Sequence, residues 1–218
     1  MRILIMSAET PPVARSDGPA DFALILARGL AELGHDARVA LPAYRFVEDD
    51  ARLNVRPVLE NLVLEWEDGW IRTAYVQSFV LRDVYFYLIG DGSRFRHACR
   101  LDGEDCALFA RGLLAAVKAV TPRWLPEVVH INDSCPGLAA VYINAVYLRE
   151  WDIEGTAFLT TVHGDADSPR SNTLVTGSLL DPDVRVLRRY RSARRLAREY
   201  EEIYSEARST CEIRRMAA

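Results

Sequence analysis

Arg2-Ile3-Leu4-Ile5-Met6-Ser7, then Ala20–Leu33, then Gly34-His35 and Asp36-Ala37-Arg38-Val39-Ala40-Leu41-Pro42 form the stretch that decides the fold. The first short apolar run breaks at Glu9-Thr10-Pro11-Pro12, which reads as a buried strand leaving a sheet. Phe22, Leu26, Leu30 and Leu33 recur at helical spacing, with Ile25 and Gly29 nearby, and Gly34 follows as a stop. Asp36–Leu41 is a second strand, closed by Pro42. Strand, loop, helix, glycine and strand make a βαβ unit, whose strands are expected to be parallel with a right-handed crossover.

Outward from this unit the pattern changes and then returns. Val55–Trp66 and Trp70–Val80 are rich in β-branched and aromatic residues and are separated by Glu67-Asp68-Gly69, a hairpin signal. Asp83–Ile89 adds a further apolar strand, so residues 53–90 read as a β-rich insertion attached to the parallel sheet. Helical spacing resumes over Glu104–Val120. Next come a strand at Glu127–Ile131, a break at Asn132–Pro136, a helix at Gly137–Leu148 and a strand at Thr156–Val162. The alternation predicts an α/β fold with a doubly wound, mostly parallel sheet over residues 1–165. Residues 166–181 are polar and turn-rich and read as a loop. Residues 182–218 lack glycine and hold ten arginines against six acids; apolar residues at 3–4 spacing predict one long amphipathic, Arg-rich helix. Its charge is read either as a solvated face on a helix packing over the sheet or as a surface for an acidic partner.

Composition narrows the function. Half of the 218 residues are hydrophobic and 27% are charged, so a core can form. A net charge of −4 and a pI near 5.6 argue against a nucleic-acid binder. No apolar run approaches the roughly 18–20 residues of a membrane span, and no secretory leader is legible, so a cytoplasmic protein is expected. Cys99, Cys106, Cys135 and Cys211 are irregularly spaced, which predicts neither a disulfide framework nor a zinc site. Of the 27 basic residues, only Lys118 is lysine.

Ligands of open parallel sheets bind beyond the carboxyl ends of the strands. Three candidate loops lie there: Glu9–Asp21, His130–Gly137 and His163-Gly164. Arg15-Ser16-Asp17-Gly18 precedes a helix, where free N–H groups favour an anion and Arg15 offers a bidentate clamp, yet no phosphate-loop glycine pattern is present. Asp133 or Ser134 suits a helix N-cap. Cys135 in the first turn is either a nucleophile paired with His130 or His163, as in Cys/His hydrolases, or a small buried apolar residue. His163 either reaches the crevice to bond a hydroxyl-rich ligand or is a core-edge histidine.

Taken together, these segments resemble the N-terminal half of bacterial glycogen synthase and plant starch synthase. The family's S-E-x-x-P-x-x-K-x-G-G-L-A-D is similar to Ser7-Ala8-Glu9-Thr10-Pro11-Pro12 and Arg15-Ser16-Asp17-Gly18-Pro19-Ala20-Asp21. Its G-H-D/E-V and L-P-x-Y have counterparts in Gly34-His35-Asp36 and Leu41-Pro42-Ala43-Tyr44. W-x-P-D-V-V-H-x-H-D-W-H-x-G-L aligns with Trp124–Leu138, and T-x-H-N with Thr161-Val162-His163-Gly164. The resemblance implies one Rossmann-like half of a two-domain GT-B glycosyltransferase. Such enzymes are retaining and pass glucose from ADP-glucose to an α-1,4-glucan in glycogen or starch biosynthesis. It implies substrate contacts from Glu9, Arg15, Gly18, Asp21 and Asp133 and catalytic positions at His163 and Cys135. No metal and no separate cofactor is implied.

The departures are informative. The family's lysine is Arg15, whose planar guanidinium does not reproduce an ammonium. The first glycine of its pair is Asp17, a carboxylate beside the expected pyrophosphate. Its Trp and second His are Ser134 and Cys135, and a thiol is a weak donor. No segment resembles the family's nucleotide-binding domain, so transfer is not expected from this chain alone; a separate chain would have to supply that domain. The expectations are therefore an acceptor-side half of a glucosyltransferase, or alternatively a non-catalytic glucan-binding or protein-interaction domain. A Cys/His hydrolase is the third.

Overall fold

The computed structural model describes residues 1–8, 22–65, 71–95, 101, 103–120, 124–132, 156–163, 172–176, 183–187 and 193–217. Strands β1 (Arg2–Ser7), β2 (Asp36–Pro42), β3 (Arg56–Glu65), β4 (Ile71–Leu81), β5 (Val84–Gly90), β6 (Val128–Asn132), β7 (Ala157–His163), β8 (Asn172–Thr176) and β9 (Asp183–Leu187) form one sheet in the order β3-β4-β5-β2-β1-β6-β7-β8-β9. The central five, β5-β2-β1-β6-β7, are parallel. Antiparallel pairs extend the sheet on each side. The α/β fold read from the sequence is the one observed.

Helix α1 (Phe22–Glu32) buries Phe22, Leu26 and Leu30 on one stripe. It ends where Gly34, at φ +88°, donates to Ala31 O while His35 N–H reaches back to Leu30 O. This pair of bonds satisfies carbonyls that the helix leaves free, and the left-handed turn suits glycine. Helix α2 (Arg45–Glu48) follows β2, and a 3-10 turn spans Ala51–Leu53. Helix α3 (Gly103–Val120) opens with Glu104 and Asp105, which favour the positive end of its dipole. Both carboxylates are paired with Arg94. Helix α4 covers Ala193–Ala217.

Alternation along each strand sorts the core into two layers. Leu4, Tyr87 and Ile89 meet Leu113, Val117 and Trp124 on the α3 side. On the opposite face, His130 and Thr161 meet Tyr200 and Tyr204 of α4, and α4 crosses α1 at Gly29. Leu196, Ala197, Tyr200, Ile203 and Tyr204 are buried, whereas Arg194, Arg195 and Arg198 face solvent.

The β-rich segment over 53–90 joins the parallel sheet as expected: β5, buried along almost its whole length, pairs in parallel with β2, and β4 and β3 follow antiparallel. Three expectations need correction. The long helix expected over 182–218 starts only at Ala193. Val184 and Val186 alternate with polar neighbours, and this β-branched pattern pairs with Asn172–Thr176, a strand inside the segment read as the loop 166–181. Cys106, buried on α3, is disulfide-bonded, although the cysteine spacing suggested no such bond. Sequence spacing does not report which thiols the fold brings within reach. The helix expected at Gly137–Leu148 and the turn at Glu67-Asp68-Gly69 lie outside the described residues.

Candidate functional site

Because β5, β2, β1, β6 and β7 are parallel, their last residues Gly90, Pro42, Ser7, Asn132 and His163 share one edge. Ser7 is the register partner of Asn132, and Asn132 of Thr161. Ser7 and Asn132 are buried, and the Asn132 amide donates to Ser7 Oγ at 3.2 Å. The segments beginning at Glu9 and Asp133 thus leave the sheet from two cross-linked neighbours.

His163 closes β7, its backbone in register with Asn172. Glu9, Arg15, Gly18, Asp21, Asp133 and Cys135 lie outside the described residues. One role offered to a histidine is removed. His130 has no solvent exposure; its Nδ1 is 2.7 Å from Tyr204 Oη and its Nε2 2.7 Å from Thr161 Oγ1. An imidazole with both nitrogens engaged inside the core is not poised as a base for Cys135.

Sequence reading passed over an aromatic group beside this edge. Tyr44, fully buried two residues after β2, donates its hydroxyl to Ala8 O at 3.1 Å, at the root of the first candidate loop. Phe46 stacks on Tyr44 with 5.7 Å between ring centroids, and Phe95 meets Tyr44 edge-on at 6.2 Å. Phe95 holds φ at +60°, a conformation that bulky residues rarely adopt. Its carbonyl accepts the Arg45 N–H at 3.3 Å, tying the end of β5 to α2. Nearby, Tyr75 Oη donates to Glu48 Oε1 at 2.8 Å. Burial raises the Glu48 carboxyl above its ordinary range against the pull of that hydroxyl. Asp91 accepts from the N–H groups of Ser93 and Arg94 and shapes the turn after β5. A Cβ at Gly90 would lie 2.7 Å from Ala43 Cβ, so glycine permits the close approach of these two strand ends. The signal for this group was Tyr44 and Phe46, the aromatics flanking Arg45, of which only Tyr44 falls within a family motif. Among the described residues no cluster of three His, Cys, Asp or Glu side chains could hold a metal.

The family model for the starch synthase catalytic domain matches residues 2–175. This chain belongs to the starch synthase catalytic domain family. It is 31% identical over 172 residues to the glycogen synthase of Syntrophotalea carbinolica, a match covering 75% of this chain and 35% of that protein. With the glycogen synthase of Trichodesmium erythraeum it shares 34% over 147 residues, 66% of this chain and 30% of that one. The catalytic domain of starch synthase IV from Arabidopsis thaliana, solved with ADP and acarbose, superposes with a TM-score of 0.62 at 18% identity. That superposition covers 75% of this chain and 34% of the plant domain, and it supports the GT-B type of fold. The starch-synthase-like chain spans about a third of the length of these relatives. None of its described helices is long and apolar enough to cross a membrane.

Proposed function

We propose that this chain forms the acceptor-side wall of a retaining α-1,4-glucan glucosyltransferase site in the cytoplasm, and that it transfers no glucose by itself. The observation that carries the reading is the register Ser7–Asn132–Thr161, which brings three family motifs to adjacent points of one sheet edge. Arg15 and Gly18 would face the diphosphate of ADP-glucose, and Glu9, Asp21, Asp133 and His163 the sugars. A departing diphosphate needs preorganised cationic or N–H donors, and one arginine is a small share of that charge. The missing share would come from the part of the relatives that this chain does not span, as a separate chain or as further sequence.

A second reading is supported by particular substitutions. Asp17, Ser134 and Cys135 replace groups that the family motif places at the diphosphate and sugar, while the scaffold positions are kept. A domain so altered would bind glucan, or a partner protein, without chemistry. Calorimetry on the purified chain with ADP-glucose, ADP and maltooligosaccharides tests both. Nucleotide binding is expected to be weak or absent and glucan binding about millimolar, near −4 kcal/mol. Transfer with an added candidate C-terminal-domain protein supports the first reading, and glucan binding without transfer supports the second. Micromolar affinity for ADP-glucose, or elongation by the chain unaided, overturns the first.

A further inference from the structure

We propose that Phe46 is a glucan-contacting residue, its free ring face taking the apolar face of a glucose unit; this rests on the glucan-binding reading above. Phe46 keeps 43% of its surface exposed although its other face is stacked on Tyr44. Val80, another exposed large apolar residue, is paired with Tyr85 near the amino end of β5 and so lies at the opposite edge of the sheet. Phe46 instead lies on α2, four residues beyond the carboxyl end of β2.

The ring is held firmly. Tyr44 behind it is buried and bonded to Ala8 O, so the plate stands one ring away from the start of the first candidate loop. The Arg45 N–H is tied to Phe95 O, and Phe95 keeps a left-handed backbone to present that carbonyl. Backbone strain in a bulky residue persists only where surrounding structure over-determines it, and it clusters at ligand sites.

Chemistry selects the occupant. A pyranose offers an axial C–H face to an aromatic plate and hydroxyls around its rim. Arg45 and Asp49 flank Phe46 as exposed groups that can donate to and accept from hydroxyls. An adenine ring would also stack, but residues 45–52 carry Glu48, Asp49 and Asp50 against Arg45 and Arg52, with Asp49 and Asp50 ion-paired to those arginines. The local excess of one negative charge disfavours a diphosphate and leaves a neutral sugar chain unopposed.

The test titrates the purified chain with maltoheptaose and, separately, with ADP, followed by NMR or calorimetry. Phe46→Ala is expected to weaken maltoheptaose binding at least about fivefold, with Phe46→Trp within about twofold of the parent. Val80→Thr, which removes exposed apolar surface at the opposite edge of the sheet, should leave it unchanged. Both positions are exposed, so thermal melts should match the parent. If the parent fails to bind maltoheptaose, the glucan reading and the role of Phe46 both fall. If the parent binds and Phe46→Ala binds within about twofold, only the role of Phe46 falls. Loss of ADP binding with maltoheptaose binding intact also overturns it.

Discussion

The imidazole of His130, in the middle of β6, shares a 2.7 Å hydrogen bond with the hydroxyl of Tyr204 on α4, 74 residues further along the chain. Thr161 on β7 bonds the other ring nitrogen at 2.7 Å and also Tyr200 Oη at 2.9 Å. His130 and Tyr200 are stacked as well, with 5.1 Å between ring centroids. The C-terminal helix is thereby joined to two central strands by a buried polar network inside an apolar layer.

Tyr204→Phe keeps the shape and removes one member of that network. Taking the hydroxyl from a buried imidazole nitrogen is expected to cost about 1–3 kcal/mol of folding stability. Urea denaturation should show a lower midpoint with an unchanged slope. A midpoint equal to the parent's would mean that the bond contributes nothing.

Burial pushes the Tyr204 and Tyr200 hydroxyls well above their ordinary value, with Thr161 pulling Tyr200 partly back. The folded state therefore keeps protons that the unfolded chain releases near pH 10. The contribution of these two tyrosines to stability should be constant up to that pH and fall as pH rises beyond it, because the unfolded state then binds fewer protons. Absorbance at 295 nm with parallel circular dichroism checks this. Ionisation of all nine tyrosines before any loss of structure would contradict it.

Asp36 behaves oppositely. Burial opposes its ionisation, but Arg38 at 2.9 Å and the Trp124 indole N–H at 2.6 Å outweigh burial and hold the carboxyl below its ordinary range. Its stabilisation is present at neutral pH and is lost as pH falls from about 4 through the folded value. Asp36→Asn should lower the urea midpoint at pH 7 and shrink the difference between pH 7 and pH 3. An acid limb identical to the parent's would rule Asp36 out.

Gly29 marks the crossing of α1 and α4. A Cβ there would lie 2.6 Å from the backbone O of Ala193 and 2.9 Å from Ala197 Cβ. Gly29→Ala gains up to about 1 kcal/mol of helix propensity. The overpacking against backbone costs about 1–3 kcal/mol. Net destabilisation is the expected outcome, read as a lower melting temperature. A rise in melting temperature would show that α4 shifts freely.

Deleting residues 193–218 tests whether the helix is an accessory. Leu196 and Ile203 alone bury side chains worth about 1.5–3 kcal/mol each, and their removal uncovers His130 and Thr161. The truncated chain is expected to lose cooperative unfolding and near-ultraviolet dichroism. A well-folded product would favour a detachable interaction helix.

Most of the sheet is legible in the sequence, because strand and helix periods are local properties. The apolar run Ile3–Met6, the stripe Phe22–Leu26–Leu30 and the stop at Gly34 each report their own geometry within a few residues. The site edge was legible for the same reason: parallel strands put all their carboxyl ends together, and the family motifs sit at those ends. Asp183–Leu187 was misread because arginine-rich segments suit either period, and a partner strand over Asn172–Thr176 settles the choice.

The amino-acid sequence by itself determined an α/β sheet, its motif-bearing loops and its membership of a glucan-synthase family, since short-range patterning and motif order carry that information. Tertiary structure alone decided that the last helix packs over one face of the sheet, that His130 is a core residue, and that Phe46 and Phe95 both meet Tyr44 at the carboxyl edge. Those facts depend on contacts between residues dozens of positions apart, and the free energy of such contacts is set by packing and solvent exclusion, which no local pattern encodes.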